Sequence, residues 1–285
     1  MQKLTFTNAR GETILFGDSG QFILSHIDGT GGAPVDIKTT KSPYQDGSSF
    51  VGGQLSDRLV QLQGAIMAKT REDMYVLRRD LARVLNPKLG LGKLVYTNDA
   101  RSYAVRAVPE ESPVFGDRYA HNQLFNASFL CPDPFWQDEN DTVKGLKYEA
   151  GGMTFPLRTP TMFAFAAYRG TFTNDGDVET PVLIHYQGPA KNPLIRNETT
   201  GEYIKVNYNL SETDVLEINT AFGQKRVEVV GQSGARTNVF HWIDLGSTFF
   251  QLQPGKNMLR YDSDDEADRE RAKVTIYWNN RYVGG

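Results

Sequence analysis

The residues able to do chemistry in this chain are few and far apart. Its four histidines, His26, His121, His185 and His241, are never closer than 56 positions, and Cys131 is the only cysteine. Neither an H-x-x-x-H nor a C-x-x-C pair therefore exists to hold zinc. His185 lies in an apolar run and His241 beside Trp242; both read as hydrogen-bonded structural histidines rather than ligands. Cys131 has no charged activating neighbour in the sequence, so it reads as a small buried hydrophobe and not as a nucleophile. A single cysteine cannot close an intramolecular disulfide, which fits synthesis in a reducing compartment.

Three other patterns invite a chemical reading. Gly29-Thr30-Gly31-Gly32-Ala33-Pro34 is glycine-rich like a phosphate cradle. No Lys-Ser/Thr follows it, and Pro34 prevents a helix from opening there, so a flexible strand connection is expected. Asp262-Ser263-Asp264-Asp265-Glu266 begins like a calcium loop but lacks the central glycine, and Arg269 and Arg271 supply counter-charge. A solvated loop between two strands is the expectation, with weak calcium binding the lesser one. Glu110 and Glu111 are adjacent, so on a strand they face opposite ways and cannot form the carboxylate pair of a glycosidase. Tyr186, Trp242, Trp278 and Tyr282 are candidates for a sugar-stacking platform, against the usual fate of such rings in a β-rich core. No catalytic constellation, metal site or cofactor motif emerges, which leaves a binder or a building block.

The elements that position these residues are mostly strands. The chain has 285 residues, enough for two domains. Its 27 glycines and 13 prolines are spread as punctuation, as many short strands joined by turns require. Strands are expected at Leu4-Thr5-Phe6, Phe22-Ile23-Leu24, Leu59-Val60-Gln61-Leu62, Leu94-Val95-Tyr96, over 102–108 and over 124–129. In 102–108, Tyr103, Val105 and Ala107 share one face. One segment has a different period. Thr70-Arg71-Glu72-Asp73 offers an N-cap and acidic first turn, and Met74, Leu77, Leu81, Val84 and Leu85 recur every three or four residues. The spacing predicts a helix over 71–85, stopped by Asn86-Pro87.

From about residue 160 only strands are expected, at 181–186, 203–206, 214–218, 226–229 and 273–278. In Val215-Leu216-Glu217-Ile218 polar and apolar residues alternate. Such a series indicates a sandwich or jelly roll. Gly52-Gly53 and Gly151-Gly152 are expected at turns or hinges. The boundary falls between Pro132-Asp133-Pro134 and Pro160, giving domains over 1–138 and 139–285. The first carries 15 basic and 15 acidic residues, the second 16 and 19. With a formal charge of −3 no basic field draws in nucleic acid. The longest apolar run, 162–167, is far below the ~20 residues that cross a bilayer. The N-terminus alternates instead of forming an apolar block, so neither a signal peptide nor membrane insertion is expected.

Several stretches, taken in order, resemble the distal tail proteins of long-tailed, siphovirus-type bacteriophages. They are Ser56-Asp57-Arg58-Leu59-Val60-Gln61-Leu62-Gln63-Gly64, the 71–85 helix leading to Leu85-Asn86-Pro87, Gly92-Lys93-Leu94-Val95-Tyr96 and Phe129-Leu130-Cys131-Pro132-Asp133-Pro134-Phe135-Trp136. Further on come Thr180-Pro181, Gly188-Pro189, Asn192-Pro193-Leu194-Ile195, Thr199-Thr200-Gly201-Glu202, Leu252-Gln253-Pro254-Gly255-Lys256-Asn257 and Tyr277-Trp278-Asn279-Asn280-Arg281-Tyr282-Val283-Gly284. The resemblance implies a mainly β protein: an N-terminal β-sandwich or barrel-like domain with one α-helix, then a C-terminal galectin-like or jelly-roll sandwich. It also implies a homo-hexameric ring at the virion tail tip, made in the bacterial cytoplasm, with a channel for DNA. The implied neighbours are the tail tube protein, a tail-associated fibre or lysin protein and, in many members, a receptor-binding protein. The chain leaves no room for a large inserted carbohydrate module. A carbohydrate-binding module for a bacterial cell-wall polymer is the alternative reading.

A head-to-tail ring needs two different patches on each subunit. The segment 41–51 carries Tyr44 and Phe50 with no partner strand obvious in the sequence, and these two residues are expected at the subunit interface. A hairpin tip folded on its own domain is the competing expectation. The charge balance of the first half predicts no duplex DNA affinity at physiological salt.

Overall fold

A computed structural model of the chain describes residues 2–149 and 167–285. Gly151-Gly152, Pro160 and all but the last residue of the 162–167 run lie outside the described residues. The chain is mainly β and divides into two compact units, Met1–Glu139 with Tyr282–Gly285, and Asn140–Arg281.

The first unit runs β1 (Lys3–Thr7), β2 (Thr13–Phe16), β3 (Phe22–Asp28), β4 (Val35–Thr40), β5 (Ser49–Leu55), β6 (Arg58–Ile66), α1 (Arg71–Val84), β7 (Gly92–Thr97), β8 (Ser102–Pro109), β9 (Val114–Tyr119), β10 (Asn122–Cys131) and β11 (Trp136–Asp138). Its strands follow the order β2-β1-β7-β8-β10-β6-β3, with β9 on β10 and β11 on β8. Gly17 joins the two ends of that path. Its N–H donates to the Phe22 carbonyl (3.2 Å), and its own carbonyl accepts from the Leu24 N–H (2.6 Å). These bonds bring β2 and β3, the two ends of the path, together.

The core follows from a period of two. On β6, Arg58, Val60, Leu62 and Ile66 are buried, and each stands opposite a buried residue of β10: Cys131, Phe129, Ala127 and Gln123. Phe125 faces Gly64, where a Cβ would lie 2.7 Å from its ring and 2.4 Å from the Ile23 carbonyl oxygen. Glycine there admits the ring, which packs with Phe16 and Phe22 at centroid distances of 5.8 and 6.3 Å. Gly92 makes the same room for Phe6.

Helix α1 begins and ends where capping chemistry places it. The Thr70 hydroxyl accepts from the Asp73 N–H (3.1 Å), and Leu85 is the C-cap. Met74, Leu77, Leu81 and Val84 are buried, on the face that lies against β2, β6 and β10. The turn after β1 holds the far end. Asn8 donates its amide to the Val84 carbonyl (3.3 Å) and to Glu12 (2.9 Å), while Glu12 pairs with Arg83. A buried amide at an orphan helix carbonyl and an acid paired with a last-turn arginine both stabilise that terminus.

The second unit runs β12 (Thr142–Glu149), β13 (Ala167–Asn174), β14 (Val182–Gln187), β15 (Ala190–Lys191), β16 (Leu194–Asn197), β17 (Tyr203–Lys205), β18 (Asn209–Leu210), β19 (Val215–Asn219), β20 (Arg226–Val230), β21 (Arg236–Asn238), β22 (Gly255–Asp262), α2 (Glu266–Arg271) and β23 (Lys273–Trp278). Two antiparallel sheets, β12-β23-β14-β19-β20-β21 and β17-β16-β22-β13-β12, share β12. That strand pairs with β23 through Leu146 and with β13 beyond it. Aromatic pairs bridge the sheets: Phe172 meets Trp278 (5.6 Å) and Tyr186 meets Tyr261 (5.7 Å). The Tyr186 hydroxyl donates to the Asp262 carbonyl (3.2 Å), and burial pushes this phenol well above its ordinary pKa.

The turn motifs of this half have a common device. Asn197 and Asn257 are fully buried, and their side-chain oxygens accept the N–H groups of Thr199 (3.0 Å) and Gln253 (2.9 Å). Asparagine closes such a turn without water. Gly201 supplies the positive φ that follows Thr199-Thr200.

Two expectations for this half need correction. It is not strands only, because α2 and a 3₁₀ turn, Phe240–Trp242, interrupt them. The acidic run between β22 and β23 is solvated, with Asp264, Asp265 and Glu266 exposed, but it folds into α2 and is not a loop. Asp265 caps α2 by accepting from the Ala267 N–H (3.0 Å), Asp262 pairs with Arg269 (2.6 Å), and Ser263 is buried. Its carboxylates serve as helix cap and ion-pair partners, and among the described residues no group of three or more His, Cys, Asp or Glu side chains is placed to hold a metal ion.

Candidate functional site

Among the described residues, strands β4 and β5 pair only with each other, as a two-stranded arm of the first unit. Every residue of β4 is exposed, and β5 is nearly so. Val35 stands opposite Leu55, Ile37 opposite Gly53 and Thr39 opposite Phe50. The pairing shifts by one residue between Lys38 and Thr39, so Val51 is the extra residue of a bulge. The bulge returns Phe50 to the row of Ile37 and Val35, because directly opposite residues share a face. Ile37 is 61% exposed and Phe50 72%.

At the tip, the Gln45 N–H donates to the Ser42 carbonyl (3.1 Å), and the Ser42 N–H to the Gln45 side chain (3.0 Å). This tight loop holds Tyr44 at φ 63° with its ring fully in solvent. A left-handed backbone costs a non-glycine residue about 1–2 kcal/mol. An isolated hairpin is at best marginally stable in water, and one with an apolar row on its face exposes what a partner would cover. The 41–51 segment is thus a paired hairpin tip, and Tyr44 and Phe50 both lie on the arm.

A second exposed apolar set lies elsewhere on this unit. Tyr75 and Val76 of α1, and Val114 and Tyr119 of β9, are exposed. The two elements are joined by Arg118, which donates to the Tyr75 hydroxyl (2.8 Å), and by Arg78, which covers the Phe115 ring at 4.3 Å.

The glycine-rich segment is not a flexible connection. Gly29 and Gly31 turn their carbonyls onto Arg58, whose guanidinium also donates to Pro134 (Nε, 2.7 Å) and Val283 (Nη2, 2.6 Å). Arg58 is 1% exposed and lies over the Trp136 ring at 5.4 Å. Gly29 has positive φ, and a Cβ there would lie 2.0 Å from the Leu59 carbonyl oxygen. The cradle binds a cation of the protein itself. The last residues complete it, with the Gly285 N–H donating to the Thr30 carbonyl (2.9 Å) and Trp136 Nε1 to the same oxygen (3.0 Å).

Cys131, opposite Arg58 across the β6–β10 ladder, does have a charged neighbour in space. Burial nevertheless dominates and pushes its thiol up to about 12, so it stays protonated and inert.

The histidines are not brought together. His26, His121 and His241 are exposed. His241 tilts against Trp242 at 4.7 Å, a surface position and not the structural one expected. His185 tilts against Tyr277 (4.8 Å) and faces Glu217 (3.3 Å).

Glu217, in the alternating run 215–218, is 5% exposed. Arg226 (2.6 Å) and Arg236 (3.1 Å) cover it, and both also pair with Glu228. Burial raises the Glu217 pKa, but the two arginines outweigh it and hold the carboxyl below its ordinary value. A depressed folded-state pKa contributes stability above the unfolded value and loses it as pH falls through the folded one. The second unit should therefore lose stability below about pH 4. Glu217→Gln should flatten that acid limb in a pH series of denaturant midpoints, and an unchanged limb would refute the assignment.

Of the four aromatic candidates, Tyr186, Trp278 and Tyr282 are buried and structural, while Trp242 is half-exposed.

No protein among the curated sequences matches the chain. A family model described as a phage tail protein RIFT-related domain matches residues 9–131, and one described as the C-terminal domain of a siphovirus-type tail component matches 175–282. Among solved structures, the Dit protein of phage SPP1, described as a paradigm of the hub adsorption apparatus in phages infecting Gram-positive bacteria, aligns over 99% of both chains. Its identity is 14% and its TM-score 0.72. A chain of the phage P2 baseplate in its activated conformation with calcium aligns over 100% of this chain and 99% of its own, at 12% identity and TM-score 0.57. The strontium form of that baseplate gives 97% and 98%, at 13% and 0.53. The two family models, in order and over most of the sequence, settle the matter: the chain belongs to the distal tail proteins of siphovirus-type phages.

Proposed function

We propose that this protein is the structural hub of a tail tip, six copies closing head-to-tail into a ring with an open centre for DNA. The first unit, Met1–Glu139 with Tyr282–Gly285, forms the ring, and the second, Asn140–Arg281, is a galectin-like sandwich. The ring joins the tail tube to the tail-associated fibre or lysin protein and offers its rim to a receptor-binding protein. It works by geometry, without catalytic group, cofactor, membrane insertion or lasting grip on duplex DNA.

The arm is the observation that carries this reading. Closure by rotation requires two unlike patches on each subunit. The arm, with Ile37, Tyr44 and Phe50, is one, and the α1–β9 face with Tyr75, Val76, Val114 and Tyr119 is its counterpart. Stable contacts of this kind bury on the order of 1,600 Å², more than a tip residue or two supplies, so the whole arm is engaged. Light scattering on the purified protein should give six times the 31.9 kDa chain mass, unchanged over a tenfold dilution. A monomer mass at every concentration would overturn the proposal.

A further inference from the structure

A cleft of about 470 Å³ opens on the second unit, lined by Lys191, Asn192, Asn207, Tyr208, Asn209 and Trp242. The Tyr208 and Trp242 rings are stacked, with centroids 4.5 Å apart and planes at 11°. Both are only partly buried, while Lys191, Asn207 and Asn209 are exposed. Three side-chain amides and one ammonium surround an aromatic pair, and no carboxylate belongs to the lining.

The walls are fixed by main-chain bonds. The Asn207 N–H donates to the Trp242 carbonyl (2.7 Å), and the Asn192 N–H to the Tyr208 carbonyl (2.9 Å). Strand pairing puts Lys191 opposite Asn209. Asn192 holds φ 50° and donates its amide to Asp264 (2.7 Å). The Ser263 hydroxyl closes the back, donating to the Lys191 carbonyl (3.0 Å) and accepting its N–H (2.9 Å). Groups held in place this way lose little freedom on binding.

We propose that this cleft binds a neutral saccharide. A pyranose ring has an apolar C–H face that suits the negative face of an aromatic ring. Its hydroxyls are donors and acceptors at once, as is the amide of asparagine, so Asn207 and Asn209 can satisfy a neighbouring hydroxyl pair in either sense. The cleft is open at the side, which admits an internal unit of a polymer as well as a chain end. No arginine fork is present to select a phosphate or carboxylate. The inference goes beyond the hub reading and does not rest on it, since each copy carries the whole cleft.

The site carries its own reporter. Of the three tryptophans, Trp136 and Trp278 are buried, leaving Trp242 the one a solute reaches. The full chain is titrated with the methyl glycosides of glucose, galactose and rhamnose, with N-acetylglucosamine, and with their oligosaccharides. Acrylamide quenching of tryptophan and saturation-transfer NMR on the sugar are read together. At least one of these should shield Trp242 with a dissociation constant of about 1–10 mM or tighter. Trp242→Ala and Asn207→Ala/Asn209→Ala should each weaken it at least about tenfold, with circular dichroism unchanged. A panel in which no sugar shields Trp242 would overturn the proposal, and so would binding that survives Trp242→Ala. Affinity for inorganic phosphate or a peptide in place of every sugar would overturn it too. Sugar binding by the unaltered chain as a monomer at every concentration would count against the ring alone.

Discussion

Replacing Arg58 with methionine should destabilise the first unit by about 4 kcal/mol or more, because four part-buried carbonyls lose a charged donor together and a hydrogen bond to a charged group contributes about 1.5–3 kcal/mol. The four belong to Gly29, Gly31, Pro134 and Val283, so one guanidinium joins the glycine-rich turn, the end of the β10–β11 connection and the C-terminal tail. Methionine keeps much of the volume and removes every donor. Lysine should rescue only part of the loss. Its three donors leave from one atom, whereas the planar fork sends bonds in separate directions. Burial lowers the Arg58 pKa, yet a guanidinium remains charged in proteins, and its solvation is supplied by those carbonyls and the Trp136 face. The measurement is thermal unfolding followed by tryptophan emission, with an expected fall in midpoint of about 10 °C or more. A shift within 2 °C for Arg58→Met would show that the cradle is incidental. Removing Val283, Gly284 and Gly285 should reproduce part of the loss, since Val283 supplies one acceptor and Gly285 a further bond to Thr30.

The second large effect concerns assembly without stability. Ile37→Asp with Phe50→Asp should convert the ring to monomers while leaving the unfolding midpoint nearly unchanged. Both side chains are mostly in solvent, so the folded monomer loses little when they become charged. In a subunit contact each would forfeit about 1.5–3 kcal/mol of apolar burial, and an uncompensated carboxylate adds a desolvation cost. Together they should raise the contact dissociation constant by a factor of about 10³ or more, and closure of a ring multiplies that over every contact. Tyr44→Ala with Phe50→Ala is the milder version and should shift assembly to higher protein concentration. Hexamers that persist for the aspartate pair at micromolar concentration would remove the arm from the interface.

Much of the fold was legible because local periodicity carries it. Met74, Leu77, Leu81 and Val84 declared α1 and its buried face, and Thr70 and Asn86-Pro87 declared its ends. Tyr103, Val105 and Ala107 declared a strand in the same way. The strands missed, such as β9 and β22, lack clean alternation; in β9, Gly116, Asp117 and Arg118 interrupt the apolar residues.

What sequence could not show was chosen by distant partners. Glu217 alternates correctly for an outward residue, but Arg226 and Arg236 from the next two strands close over it. Arg58 stands just before the strand expected at Leu59-Val60-Gln61-Leu62, and only the pairing parity of β6 puts it on the inward row. The glycine-rich turn serves carbonyls to that arginine, a role that depends on residue 283 arriving from the other end of the chain. Tyr208 was not among the aromatic candidates, and its pairing with Trp242 joins positions 34 residues apart without a shared period.

The central claim is that identical copies tile sideways into a closed ring. Projection images of the purified protein, averaged without imposed symmetry, test it most directly. The account predicts end-on views with six equal lobes around an open centre. Solitary particles of one chain's size at every concentration imaged would contradict it.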